Sequence, residues 1–119
     1  ESYFYAEVKR LKQLIDAAMK EGELLVLLDE ILTGTNTKDK EIASKAFLER
    51  LLGMQVTSLI ATHDLSLTSL AEKYPDTIRN KSFEVDMVNK TMHYDYKIRN
   101  GVAKNMNALD LLKQMKLIR

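Results

Sequence analysis

The sequence predicts an α/β fold in which a partial parallel sheet is flanked by helices and followed by an antiparallel hairpin. Three observations carry that expectation. Leu24-Leu25-Val26-Leu27-Leu28 is a continuous apolar run, the form taken by a strand covered on both faces. Val56-Thr57-Ser58-Leu59-Ile60-Ala61 is a second, β-branched strand, separated from the first by one helical segment. From Phe83 onward the apolar period changes to two.

In chain order, Phe4, Val8, Leu11, Ile15 and Ala18 recur at spacings of three and four with charged residues between them, which predicts an amphipathic helix over Tyr3 to Lys20. Ser2 stands at its N-cap position and Gly22 closes it. The first strand then ends on Asp29-Glu30. The polar segment Thr33-Gly34-Thr35-Asn36-Thr37 forms a loop, and Ile42, Ala43, Ala46, Phe47 and Leu51 mark a second helix ending near Gly53. Strand, helix and strand at this spacing make a βαβ unit, so Asp29-Glu30 and Thr62-His63 should reach the same sheet edge. A third helix runs from Leu65 to Lys73, where Tyr74-Pro75 stops it. Phe83, Val85 and Met87, then Met92, Tyr94, Tyr96 and Ile98, alternate with polar residues around a turn at Asn89-Lys90, so one hairpin face should be wet and the tyrosines half-buried. Asn105 or Asn107 can cap a last helix bearing Ala108, Leu111, Leu112 and Met115.

The bulk composition narrows the functional classes. A chain of 119 residues suits one domain with one core, burying roughly two thirds of its unfolded surface. Eighteen basic and seventeen acidic residues leave a formal charge of +1, which gives no support for a dedicated nucleic-acid or membrane face. The lack of cysteine removes disulfides and thiolate metal sites and fits a cytoplasmic setting. No apolar stretch approaches the roughly 20 residues of a membrane span, and no signal peptide opens the chain.

Two adjacent carboxylates at a strand end suit phosphoryl transfer, which needs a metal to neutralise phosphate charge and a group to orient the attacking water. Asp29 would serve Mg2+, Glu30 the water, and His63 the terminal phosphate from the neighbouring strand. A phosphate-cradling loop of the form GxxxxGKS/T is not among these residues: none of Gly22, Gly34, Gly53 and Gly101 precedes a lysine. The site read here is therefore half of a nucleotide site, with the other half expected upstream and Glu1 a fragment boundary.

These residues resemble a known family. Leu27-Leu28-Asp29-Glu30-Ile31-Leu32-Thr33-Gly34-Thr35-Asn36-Thr37-Lys38-Asp39 is similar to the Walker B and D-loop stretch of MutS-type mismatch-repair ATPases, approximately LxDExxxGTxxxD. Ala61-Thr62-His63 resembles the ATH motif of the next strand. Ser2-Tyr3-Phe4 with Glu7 resembles the signature region, with Tyr3 in place of the usual threonine. The segment Asn100 to Asn105, continuing through Asn107-Ala108-Leu109, resembles the closing turn and helix.

The resemblance implies a P-loop NTPase-like fold of the ABC and MutS type, with this chain as the C-terminal half of its ATPase domain. It implies an ATPase using ATP and Mg2+, with Glu30 and His63 catalytic and Asp29 holding the metal. Ser2 would act in trans at the partner's nucleotide, and Gly34, Thr35, Asn36, Thr37 and Asp39 would line the shared site. The parent would be a homodimer that holds mismatched or branched DNA through domains outside this chain.

Two alternatives stay open. One is another two-site ATPase of the transporter or chromosome-maintenance type, although those carry an LSGG-type signature and a D-loop resembling SALD. The other is a non-catalytic dimerisation module. Ser2 fits a helix cap as well as a phosphate contact, whereas His93, Lys9, Arg10 and Lys12 read as solvated side chains.

Overall fold

The computed structural model describes residues 2–89, 91–104 and 108–119. The chain divides into two compact units, Glu1–Lys73 and Tyr74–Arg119. The first begins with helix α1 (Tyr3–Glu21), closed by Gly22 at φ 84, a left-handed conformation that a side chain would strain. Strand β1 (Leu24–Asp29), helix α2 (Thr37–Leu52) and strand β2 (Val56–Ala61) follow. The two strands pair in parallel from Leu24 opposite Val56 to Asp29 opposite Ala61, as the βαβ pattern requires.

The third helix differs from its sequence expectation. It is split into α3 (Leu65–Thr68) and α4 (Leu70–Lys73) around Ser69. The Thr68 hydroxyl donates to Leu65 O at 2.6 Å and the Ser69 hydroxyl to Ser66 O at 2.7 Å. Side chains that bond backbone carbonyls compete with the helical ladder, and two in succession break it.

The buried apolar side chains of the described residues all lie in this first unit. Ile15 and Ala18 come from α1, Val26 from β1, Leu48 and Leu51 from α2, and Leu67 and Leu70 from α3 and α4; Ile31 and Leu32 complete the set from the loop after β1. The one core expected of the whole chain is thus concentrated in its first 73 residues, because the second unit is too small to remove much surface from water. The strand expected to be covered on both faces is covered on one. Val26 is 3 % exposed, whereas Leu25, Leu27 and Leu59 of the opposite face are 63 %, 67 % and 65 % exposed. Alternate side chains of a strand point to opposite faces, so helices packed on one side leave that row of leucines open.

The second unit turns at Tyr74–Ile78, with the Ile78 N–H bonded to Tyr74 O at 2.9 Å. Its strands form two short antiparallel pairs. β3 (Lys81–Ser82) pairs with β6 (Arg99–Asn100), and β4 (Val85–Val88) pairs with β5 (Thr91–Tyr94). The inner pair is the expected hairpin, with Asn89 at φ 51 in its turn; Lys90 lies outside the described residues. Neither face of β5 is covered, and the tyrosines expected to be half-buried are exposed, stacking on each other with ring centroids 5.9 Å apart. Lys97 N–H and the Arg99 guanidinium both engage Asp95 and bend the chain between β5 and β6, where Tyr96 has φ 57. Helix α5 (Ala108–Gln114) closes the chain, and its expected caps Asn105 and Asn107 lie outside the described residues. No helix among the described residues is long and apolar enough to cross a membrane.

Candidate functional site

Parallel pairing sets the carboxyl ends of β1 and β2 side by side, at the edge where open α/β sheets bind ligands. The pairing extends past the strand, since Glu30 N–H donates to Ala61 O at 2.9 Å. The chain then makes an unusual turn, with Glu30 at φ 49 and Leu32 at φ 56. Left-handed backbone at a non-glycine residue costs about 1–3 kcal/mol and persists where its surroundings hold it. Burial of Ile31 and Leu32, 4 % and 6 % exposed, is one such restraint.

Both oxygens of the Glu30 carboxylate are engaged. Oε1 accepts the His63 backbone N–H at 2.6 Å and Oε2 accepts Lys40 Nζ at 3.3 Å. Burial pushes this carboxyl up, but the His63 N–H, the Lys40 ammonium and the Thr62 hydroxyl together outweigh it and hold it below the ordinary glutamate value. Glu30 is therefore a fixed, ionised carboxylate at neutral pH.

Its partners are themselves placed by helix starts. Asn36 caps α2, accepting Asp39 N–H at 2.9 Å while its amide donates to Asp39 Oδ2 at 2.9 Å, and Lys40 follows in the next position. Asp64 caps α3 immediately after His63, accepting the Ser66 N–H at 2.9 Å and the Ser66 hydroxyl at 2.6 Å. That hydroxyl is the main reason the Asp64 carboxyl lies below its ordinary value, against the upward push of burial.

Asp29 has a different setting. It continues the exposed row of Leu25 and Leu27, so its carboxylate meets solvent. A hard oxygen ligand of this kind suits Mg2+, which commonly takes one or two carboxylates and fills its shell with phosphate oxygens and water. Among the described residues no three His, Asp or Glu side chains gather into a cation site.

A second group of contacts ties α1 to the loop after β1. Glu7 Oε2 accepts Leu32 N–H at 2.6 Å and Oε1 accepts Thr33 N–H at 3.2 Å. Gly34 lies against the first turn of α1, where a Cβ would stand 2.9 Å from Phe4 Cβ. Ser2 opens the same helix, is exposed, and accepts the Tyr5 N–H at 3.1 Å in the capping role.

Of the site residues expected from sequence, Glu30 and His63 meet through the His63 backbone, and Gly34 meets the helix that Ser2 begins. Thr35 is half-buried within the loop, Thr37 opens α2 and is exposed, and Asn36 and Asp39 hold each other. The sequence reading did not find Lys40 and Thr62 as partners of Glu30, nor the grip of Glu7 on the loop. Lys40 had an available signal: it sits in the first turn of the helix that follows the loop begun by Glu30, where a long basic side chain can reach back. A shallow groove lined by residues 23–25 and 54–57 lies at the opposite, amino ends of the strands, away from all of these groups.

Comparison with known proteins identifies the family of the chain. A family profile described as MutS domain V matches residues 1–117. MutS protein homolog 4 of Homo sapiens is 32 % identical over 112 residues, covering 89 % of this chain and 12 % of that protein. Endonuclease MutS2 of Halothermothrix orenii is 31 % identical over 116 residues, covering 98 % of this chain and 14 % of the relative. The chain thus spans about one eighth of the length of the relatives it matches. With the profile covering nearly every residue, from the cap of α1 through the paired strand ends to the last helix, this chain belongs to the MutS family.

Proposed function

We propose that this chain is the C-terminal part of a MutS-type ATPase domain of P-loop NTPase-like fold, and that it supplies the hydrolytic edge of an ATP site. The carrying observation is Glu30, an ionised carboxylate at the end of a parallel strand with one oxygen locked by the His63 N–H at 2.6 Å. The other oxygen faces Lys40 at the longer distance of 3.3 Å. A carboxylate fixed at one oxygen and loosely paired at the other can accept a hydrogen bond from the attacking water without losing its orientation. The His63 N–H, with Lys40 and the Thr62 hydroxyl, holds that carboxylate below its ordinary value against the upward push of burial.

The residues present fit the metal side of such a site and not the phosphate cradle. Asp29 would hold Mg2+, which when bound neutralises phosphate charge. His63 would face the terminal phosphate from the second strand, with Gly34, Thr35, Asn36, Thr37 and Asp39 on the loop beside it. Ser2 would serve a partner's site, consistent with its exposure at the start of α1, where a helix N-terminus favours an anion. In the full-length protein we assign DNA contact to domains outside this chain, a homodimer as the working form and the cytoplasm as its location.

The test is Glu30→Gln in the full-length protein. Removing one carboxylate oxygen should leave ATP affinity within about threefold and slow single-turnover hydrolysis by about 10² to 10⁴-fold, the span of a lost general base. Hydrolysis at the parent rate would remove Glu30 from the mechanism. The isolated chain should show no magnesium-dependent turnover.

A further inference from the structure

The Glu7 side chain does something the hydrolytic reading does not use. It sits in the second turn of α1, yet its carboxylate spans to the loop after β1 and grips two consecutive backbone N–H groups, Leu32 at 2.6 Å and Thr33 at 3.2 Å. Those two residues follow Glu30 directly after Ile31, and Glu30 and Leu32 are both left-handed, at φ 49 and 56. The turn that aims Glu30 is thus held at one end by Ala61 O, which accepts the Glu30 N–H, and at the other by Glu7. Ionised carboxylate to backbone N–H is a strong form of hydrogen bond, and two in parallel fix orientation as well as distance.

A second contact joins the same two elements. Gly34 packs so closely on Phe4 that an added Cβ would stand 2.9 Å from Phe4 Cβ and 3.2 Å from its Cα. The start of α1, with Ser2 as its cap, therefore rests on the loop one residue beyond the pair that Glu7 holds. A shift of that helix end has a short, bonded route to Glu30.

We infer that Glu7 is a positioning residue for hydrolysis: it couples the helix that begins at Ser2 to the Glu30 carboxylate by holding the Leu32–Thr33 backbone. This rests on the ATPase reading above. Glu7 itself touches no reacting atom; it determines whether the turn carrying Glu30 keeps its left-handed form.

The experiment uses the full-length protein with four variants, Glu7→Gln, Glu7→Asp, Glu30→Gln and the same-helix control Asp16→Asn. Glu7→Gln keeps the shape but has one accepting oxygen for two N–H donors, and its amide N–H opposes the second. It should lower single-turnover kcat by about 10- to 100-fold, the effect of a misplacement near 1 Å, while KM stays within about twofold. Glu7→Asp, which keeps the charge one methylene back, should lie between parent and Glu7→Gln. Asp16→Asn should match the parent. Amide exchange at Leu32 and Thr33 should accelerate in Glu7→Gln and stay as in the parent in Asp16→Asn. Parent-like kcat in Glu7→Gln while Glu30→Gln is inactive would overturn the coupling, as would equal loss in KM and kcat or unchanged exchange at those two amides. Full hydrolysis by Glu30→Gln would instead overturn the ATPase reading beneath it.

Discussion

Gly34→Ala is the sharpest single perturbation of the α1–loop contact, because two opposing effects can be weighed from the structure. Gly34 does not have the positive φ of Gly22 or Gly101, so an alanine meets no backbone strain there. On conformational entropy alone the substitution would stabilise by about 0.4–1 kcal/mol. Against this, the new Cβ would lie 2.9 Å from Phe4 Cβ, 3.2 Å from Phe4 Cα and 3.3 Å from Phe4 N. Two of those atoms are backbone in the first turn of a helix, so no side-chain rotation relieves them. The gap must open by at least about 0.5 Å to reach ordinary contact. Overpacking of that kind costs about 1–3 kcal/mol, which exceeds the entropic gain. The net loss, about 1–2 kcal/mol, corresponds to a fall in Tm of about 4–16 °C, at about 4–8 °C for each kcal/mol in a chain near 100 residues. Thermal unfolding monitored by circular dichroism reads it directly. A Tm equal to or above the parent's would show that α1 does not rest on this loop.

Three further outcomes follow from the polar interior and the carboxylates. Ser44 is fully buried in α2 with no partner for its hydroxyl, so Ser44→Ala should raise unfolding stability by about 1 kcal/mol in denaturant titration; a loss of that size would reveal a hidden hydrogen bond. Glu30, Asp64 and Asp95 all lie below their ordinary values of 4.5 and 3.8, so each favours the folded state above those values and loses that contribution as pH falls through its folded pKa. Stability should be level from pH 8 to about 5 and decline below about 4. Lys40→Met should move that acid limb upward, since it removes a counterweight to the burial of Glu30. A decline centred above pH 5 in the parent would contradict the assigned partners.

The parts of this fold that local chemistry marks were legible in the sequence. Apolar runs delimited β1 and β2, Ser2 and Gly22 bounded α1, and Gly53 closed α2. From those boundaries, parallel pairing brought Asp29-Glu30 and Thr62-His63 to one edge. What periodicity does not encode is contact across the chain. Glu7 reaches residues 32 and 33 from another element, and Lys40 reaches back ten positions to Glu30. The split at Ser69 depends on hydroxyls choosing carbonyls over water, a choice invisible in an otherwise helical pattern. The exposed Tyr94 and Tyr96 show the limit of alternation, which tells which residues share a face and not whether anything covers it.

The open row of Leu25, Leu27 and Leu59 has a colloidal consequence. Three leucines about two-thirds exposed form a flat, water-facing apolar strip, and the chain carries a formal charge of only +1 with a pI near 8.2. With so little net repulsion between molecules, the isolated chain should self-associate at slightly alkaline pH and take up apolar dyes in its folded state. Acidic buffers, where net positive charge grows, or a Leu27→Lys change on the strip should keep it dispersed.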